Sequence, residues 1–167
     1  MKRRALAFVV LLALALSACG FHLRGSRGAD LDFQSAFVKG TDTELVQRLQ
    51  DTLQQSDIAL TDTPDAAQVV LNIEATRVLR RILTIGRAGD VSEYELRYEV
   101  DVAVQDGAGQ ALQPRRTVEQ VTEYSYDPTI VLAKDEEEQI LIEDLREGVV
   151  RDVMRQLTKL VRPVAAR

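Results

Sequence analysis

Residues 93–104 alternate strictly between two kinds of side chain, and this pattern predicts a β-strand with one buried face. A one-residue shift of register would turn five charged side chains toward the core, so the register is tightly specified. We therefore expect a sheet covered by a second layer on one face and open to solvent or to a partner on the other. The apolar face comprises Tyr94, Leu96, Tyr98, Val100, Val102 and Val104, and the charged face comprises Glu93, Glu95, Arg97, Glu99 and Asp101.

Three other segments have strand patterns of their own. Residues 31–38 present a mainly apolar face on alternate positions, and Gly40 follows as a stop. Residues 69–76 alternate in the same way, and the pattern continues toward Arg87. Residues 116–126 predict a less regular strand that follows a turn at Asp106-Gly107. The chain is thus predicted to supply four strands in all.

Two segments have apolar residues at helical spacing. A capping-box pattern from Thr41 to Glu44 precedes a helix that is predicted to end at about Ser56. A long second helix is predicted from Lys134 to about Val161, and Pro163 terminates it. Its apolar stripe comprises Leu141, Leu145, Val149, Val153, Leu157 and Leu160.

The acids that follow Lys134, residues 135–138, are assigned to the first turn of this helix, where they complement the helix dipole. The element order β-α-β-β-β-α predicts an α+β two-layer sandwich, with two helices packed on one face of a mainly antiparallel four-stranded sheet. It forms a single domain over residues 31–163, and a short tail follows at 164–167.

The N-terminus predicts export and lipid attachment. A basic start and an uncharged run at residues 5–16 are typical of a secretory signal peptide, here 1–18, because the run is shorter than the ~20 residues that span a bilayer. Leu16-Ser17-Ala18-Cys19 resembles the lipobox of bacterial lipoproteins. That resemblance implies cleavage before Cys19 and acylation of it. Residues 25–30 are Gly-rich and polar, which predicts a flexible tether over 19–30 between the lipid and the fold. The alternative is an ordinary signal followed by an unmodified Cys, which has no second Cys with which to form a disulfide.

Charge excludes one class of partner. Loss of residues 1–18 removes three basic residues and no acids, so the formal charge falls from −5 to −8 over the 149 residues that remain. An acidic body argues against nucleic-acid binding and against adhesion to anionic surfaces, so an anionic ligand would need a local basic site. The stretch that carries Arg80, Arg81 and Arg87 is both basic and apolar, so it is the candidate for such a site. The alternative is a solvated strand edge with scattered arginines.

Candidate catalytic groups are few. The sole His, His22, lies on the tether, which excludes a catalytic triad or a His-based metal site in the domain. Glu136, Glu137 and Glu138 occupy consecutive helix positions that point apart, so a solvated first turn is expected rather than a metal site. We expect no cofactor and no enzyme activity, unless two carboxylates from separate strands act together.

Four motifs carry a resemblance to a known family. Cys19-Gly20-Phe21-His22-Leu23-Arg24, Ser92-Glu93-Tyr94-Glu95-Leu96, Asp127-Pro128 and Leu132-Ala133-Lys134-Asp135 occur in the order and at the spacing that resemble LptE, the lipopolysaccharide-assembly lipoprotein family. The resemblance implies a non-enzymatic subunit of the outer-membrane lipopolysaccharide translocon. Such a subunit is lipid-anchored, plugs the LptD β-barrel at one to one, assists barrel assembly and binds lipopolysaccharide. Gly20 after Cys19 resembles the pattern sorted to the outer membrane.

The resemblance also suggests individual residues. Two basic positions linked to lipopolysaccharide binding in the family match Arg87 and Lys134 here, and Arg80 and Arg81 are added from their apolar surroundings. The simpler interpretation of Lys134 is an ordinary helix-start residue. An alternative function is a stand-alone periplasmic lipid carrier, which would enclose its ligand in a deep apolar cavity.

Overall fold

The computed structural model describes residues 31–87 and 89–160. Five strands form one sheet in the order β2-β1-β3-β4-β5, and two helices pack on it. The strands are β1 (Ser35–Gly40), β2 (Ala59–Leu60), β3 (Val69–Ile85), β4 (Val91–Gln105) and β5 (Ala111–Ser125), and the helices are α1 (Thr43–Gln55) and α2 (Val131–Leu157). The signal peptide, Cys19, the tether with His22, Pro163 and the tail at 164–167 lie outside the described residues.

The α+β class with two helices is confirmed, but the four-stranded antiparallel sheet is wrong in two respects. The sheet has five strands and is mixed, because β1 runs parallel to both β3 and β2. Helix α1, strand β2 and a short 3₁₀ helix (Pro64–Ala66) lie between β1 and β3. Such a crossover returns the chain in the same direction, whereas a tight hairpin would reverse it. The added strand, Ala59–Leu60, has two residues, which is too short to produce an alternating pattern in the sequence.

Helix α1 is capped by Asp42 rather than by the predicted Thr41. An Asp42 carboxylate oxygen accepts a hydrogen bond from the Leu45 backbone N–H at 3.0 Å, and the other accepts from the Tyr98 hydroxyl at 2.7 Å. The cap therefore joins the start of the helix to the central strand β4. Three leucines one helical turn apart then bury their side chains completely: Leu45, Leu49 and Leu53.

Helix α2 begins at Val131, three residues before the predicted start at Lys134. Its first turn contains no acid, so the acids at 135–138 lie in the second turn, and the predicted complementation of the helix dipole by these acids is wrong. Only its C-terminal half is deeply buried. Gly148 permits a close approach to β5 there, because a Cβ at this position would lie 2.9 Å from the Gln120 side chain.

The core lies under α1 and the C-terminal half of α2. The face of β4 that the sequence predicts to be buried is buried there, with Leu96, Tyr98, Val100 and Val102 almost inaccessible to solvent. Strand β1 stops at Gly40, where a Cβ would lie 2.6 Å from the Cβ of Ile73 on β3. Beyond this point β3 and β4 continue together as an antiparallel pair.

We call residues 76–100, the ends of β3 and β4 with the turn that joins them, the distal hairpin. All residues of β3 from 78 to 85 are exposed. Five of them are large apolar side chains with exposed fractions between 39% and 62%: Val78, Leu79, Ile82, Leu83 and Ile85.

Candidate functional site

Arg80 lies on the helix-covered face of the distal hairpin within a cluster of aromatic and acidic groups. Its guanidinium Nη1 donates to Glu138 Oε2 on α2 at 2.9 Å, and its Cζ lies 4.8 Å from the centre of the Tyr94 ring. The Tyr124 hydroxyl on β5 donates to the same Glu138 oxygen. Strands β3, β4 and β5 and helix α2 thus each contribute one side chain to this cluster.

The electrostatics of the cluster keep Arg80 charged and Tyr124 protonated. The hydrogen bond to Glu138 raises the pKa of Arg80 further above its usual value. Burial and the hydrogen bond to Glu138 together raise the pKa of Tyr124 to about 12, and Arg80 opposes this shift. A guanidinium carries five N–H donors in a planar fork, so Arg80 has the capacity to bind a phosphate beside its carboxylate partner.

Lys134 is held at the start of α2 rather than extended into solvent. Its amine donates to Glu137 Oε2 at 2.7 Å and to Ser125 Oγ at 3.3 Å, and its side chain is 12% exposed. The ion pair with Glu137 compensates a cation placed near the positive end of a helix, which is otherwise slightly unfavourable.

The Asp127-Pro128 motif shapes the bend that places Lys134. Asp127 Oδ1 accepts hydrogen bonds from the backbone N–H and the hydroxyl of Thr129, at 2.9 and 2.7 Å. These two bonds lower the pKa of Asp127, because they favour its ionised form. The motif is therefore a turn that ends β5 and aims α2 back across the sheet.

Arg87 is exposed in the turn between β3 and β4. The turn closes with a 2.7 Å hydrogen bond from the Gly86 N–H to the Asp90 carbonyl. The sheet register puts this turn at the same end of the molecule as Lys134. Thr84 on β3 pairs with Glu93 on β4, and Glu93 pairs with Ser125 on β5, which accepts a hydrogen bond from Lys134. Adjacent strands lie about 4.8 Å apart, so these three residues span roughly 10 Å.

Arg81 lies on the opposite face of the sheet from Arg80. It donates to Glu95 at 2.9 Å, and Arg97 joins Glu95 to Glu119 on β5. Hydrogen bonds from Arg97 and then from Arg81 lower the pKa of Glu95. The structure thus brings Arg80, Arg87 and Lys134 to one end of the molecule, while Arg81 belongs to a separate row of ion pairs.

A second network neutralises the acidic face of β4. Asp101, 8% exposed, accepts from Arg77 at 3.0 and 3.3 Å, from the Thr117 hydroxyl at 2.6 Å and from Arg115 at 3.3 Å. Arg77 also donates to Glu99 at 3.1 Å. Asp101 is therefore paired with arginines on both neighbouring strands, and Glu99 with Arg77 on β3.

The aromatic component of the site is not among the residues predicted from the sequence. Tyr94 lies 5.8 Å from Tyr124 and 5.1 Å, edge to face, from Tyr126, measured between ring centres. The ion pairs of Glu137 with Lys134 and of Glu138 with Arg80 are likewise unpredicted, and the expectation of a solvated turn for these acids is wrong. The available signal was the position of Tyr124 and Tyr126 at the end of β5, beside the Glu-Tyr-Glu motif of β4.

Comparison with known proteins decides the family. The family model described as LptE, lipopolysaccharide-assembly, matches residues 31–157. The chain belongs to the LptE family. Two curated relatives are both named LPS-assembly lipoprotein LptE. The one from Photorhabdus laumondii subsp. laumondii is 25% identical over 160 residues, which cover 94% of this chain and 87% of the relative. The one from Pectobacterium atrosepticum is 26% identical over 161 residues, which cover 94% and 86%.

Solved structures share the fold of this chain. The solution structure of an uncharacterized lipoprotein B from Nitrosomonas europaea has a TM-score of 0.70 at 22% identity, covering 83% of this chain and 90% of that one. The crystal structure of the rare lipoprotein B from Shewanella oneidensis has a TM-score of 0.67 at 23% identity, covering 75% of this chain and 95% of that one.

Neither helix of the described residues is long and apolar enough to cross a bilayer.

Proposed function

We propose that this LptE-family protein binds lipopolysaccharide at the distal hairpin and the adjoining start of α2, as a non-enzymatic subunit of the outer-membrane translocon. The observation that carries the proposal is the arrangement of Arg80, Arg87 and Lys134 at one end of the sheet beside exposed apolar side chains. Membership of the lipopolysaccharide-assembly family supports it.

The chemistry of the distal hairpin suits the lipid A portion of lipopolysaccharide. Lipid A presents phosphates next to acyl chains, so its receptor needs cations and apolar surface side by side. Arg80 and Arg87 offer guanidinium forks, Lys134 offers a compact charge, and Ile82 and Ile85 offer apolar surface. Arg81, on the other face, remains a predicted contributor only if the ligand wraps the edge of β3.

A pair of charge-reversal variants tests this site. Arg87→Glu with Lys134→Glu should weaken lipopolysaccharide binding by about tenfold or more, since each lost phosphate contact costs about 1 kcal/mol. The matched control is Arg151→Glu with Lys159→Glu, two exposed positions near the C-terminal end of α2. Both variants change the net charge equally, so a general electrostatic effect would weaken binding in both.

The Lys134 substitution needs a folding control, because the side chain is packed and paired with Glu137. The exchange Lys134→Glu with Glu137→Lys keeps an ion pair and reverses its direction. Far-UV circular dichroism should be unchanged in every variant. Equal binding by wild type and Arg87→Glu/Lys134→Glu would remove both residues from the site.

The proposal extends to the partner and the anchor. We infer that the chain is held in the outer membrane by acyl groups on Cys19 and plugs the LptD barrel at one to one, as family membership suggests. Mild detergent extraction with an affinity tag after Arg167 should retain one large β-barrel protein in equal amount, and Cys19→Ser should abolish membrane association. Recovery of the tagged protein alone, or with lipid only, would contradict the proposal that it plugs a barrel and would favour a stand-alone periplasmic lipid carrier.

The carrier alternative has little support in the described pockets. The larger, about 610 Å³, opens between the helices and is lined mainly by polar and charged residues that include Glu44, Arg48 and Arg146. The smaller pocket, about 130 Å³, lies at the end of the sheet away from the distal hairpin, against Phe33 and Leu160. Neither of these two is a deep apolar cavity that could enclose acyl chains.

A further inference from the structure

The outer edge of β3 is a strand edge without a neighbour over most of its length. Pairing with β1 ends at Gly40 and Ile73, whereas pairing with β4 continues to Ile85 and Val91. Within residues 31–87 and 89–160, no strand pairs with the other side of residues 75–85. A strand of this length exposes a row of backbone N–H and C=O groups that can pair with another chain.

The sheet has a second long edge, on β5, and the two edges differ in composition. Strand β5 contains Pro114, and Val121 is its only exposed large apolar residue, so it is protected in the usual way. The free part of β3 contains no proline and has five exposed large apolar residues, distributed over both faces. The edge of β3 is therefore the one suited to strand addition.

We propose that the outer edge of β3 binds an extended acidic and apolar segment of a partner protein as a sixth strand. On one face β3 presents Arg77, Leu79 and Arg81 in succession. On the other face it presents Val78, Arg80 and Ile82. Side chains directly opposite one another in paired strands lie about 5 Å apart. An acid is a favourable partner for each arginine and an apolar residue for each apolar one, so along each face the partner side chains alternate between the two kinds.

This pattern specifies the partner segment. The partner residues that lie opposite residues 77–82 of β3 are, in order, an acid, two apolar residues, two acids and one apolar residue. A second copy of this chain fits less well, because each copy brings three arginines to the same short interface, and like charges across a strand pair are destabilising. The acidic partner instead adds to the ion pairs that Arg77, Arg80 and Arg81 already make.

The test uses the mature full-length protein in detergent and a fluorescein-labelled peptide centred on Glu-Val-Val-Glu-Glu-Val, made in both chain directions. One direction should bind about tenfold more tightly than a scrambled peptide of the same composition, a difference of about 1.4 kcal/mol. Hydrogen exchange should then show slower exchange at alternate backbone amides within residues 75–85. Binding without this protection would indicate adsorption to the arginines and would overturn strand addition.

Two matched variants locate the edge. Leu79 and Val121 lie in one row of the sheet, each paired with Arg97, and they are 46% and 44% exposed. Leu79→Glu should weaken peptide binding about tenfold, whereas Val121→Glu should leave it unchanged. Weaker binding by Val121→Glu alone would place the peptide on β5. A stable dimer that excludes the peptide would mean that a second copy of the chain pairs with β3. Either result would overturn the proposal.

Lipopolysaccharide binding by the Arg87 and Lys134 variants is measured separately, so strand addition and the lipopolysaccharide site can fail independently.

Discussion

Leu49 on α1 and Leu79 on β3 are the same residue type in the same domain, yet the first is fully buried and the second is 46% exposed. The difference follows the sheet. Near β1, the strands are covered by α1 and the C-terminal half of α2, and the apolar side chains between them form one core. In the distal hairpin, apolar residues of β3 face solvent on both sides. The first region therefore stabilises the fold, and the second is available for contact with other molecules.

Truncation of the two leucines should separate these roles most clearly. Leu49→Ala removes a fully buried side chain, so we expect the free energy of unfolding to fall by about 3 kcal/mol. Leu79→Ala removes an exposed one and should change it by about 0.5 kcal/mol or less. Urea denaturation followed by circular dichroism measures both. A loss at Leu79 as large as that at Leu49 would mean that the exposed part of β3, residues 78–85, belongs to the folding core.

The polar network around Asp101 should give the next largest effect. Hydrogen bonds from Arg77 and Thr117 hold the pKa of Asp101 well below its usual value. Its ionised form therefore stabilises the folded state fully above the unfolded pKa of about 4, and this contribution is lost as the pH falls below that value. Asp101→Asn should cost roughly 2 kcal/mol at neutral pH, because hydrogen bonds to a buried charge are lost.

The pH dependence provides the control for this prediction. Between about pH 5 and pH 2 the wild type should lose more stability than Asp101→Asn, whose side chain does not titrate in that range. Glu119→Gln, which breaks the more exposed pair with Arg97, should cost under about 1 kcal/mol. Parallel curves for wild type and Asp101→Asn would show that Asp101 contributes no acid-dependent stability.

The contrast between the two regions also explains what the sequence could predict. Strand β4 was assigned correctly because one face is buried and the other charged, so that alternation is visible in its residues. The α+β class followed from the periodicity of the strands and helices, whereas the family was suggested by the resemblance of short motifs. Strand β2 could not be found, because its two residues are positioned by backbone hydrogen bonds from Ala59 to Gln34 and from Thr61 to Ala36.

The candidate site was only partly predictable for a related reason. Arg80 and Arg81 are adjacent in sequence, and the strand period sends them to opposite faces, which separates their partners into Glu138 and Glu95. The partner of Lys134 is three residues further along the same helix, a spacing that is readable from sequence once the start of α2 is known. The contact of Arg80 with α2 depends on how the helix crosses the sheet, which no local pattern encodes.

The smallest expected effect concerns the acid that holds Arg80. Glu138→Gln removes a negative charge beside the proposed phosphate site while keeping a group that can accept a hydrogen bond from Tyr124. Lipopolysaccharide binding should then strengthen by about threefold, because Arg80 no longer divides its charge between Glu138 and the ligand, and an ion pair of this exposure contributes at most about 1 kcal/mol.

Glu123→Gln is the matched control for this change. Glu123 is exposed on β5 and pairs in register with Glu95, on the sheet face opposite Arg80. The substitution removes the same charge from the same end of the sheet, so a general electrostatic gain would appear equally in both variants. Tighter binding by Glu138→Gln alone would place the phosphate beside Arg80, whereas weaker binding would mean that Glu138 positions the guanidinium for the ligand and does not compete with it.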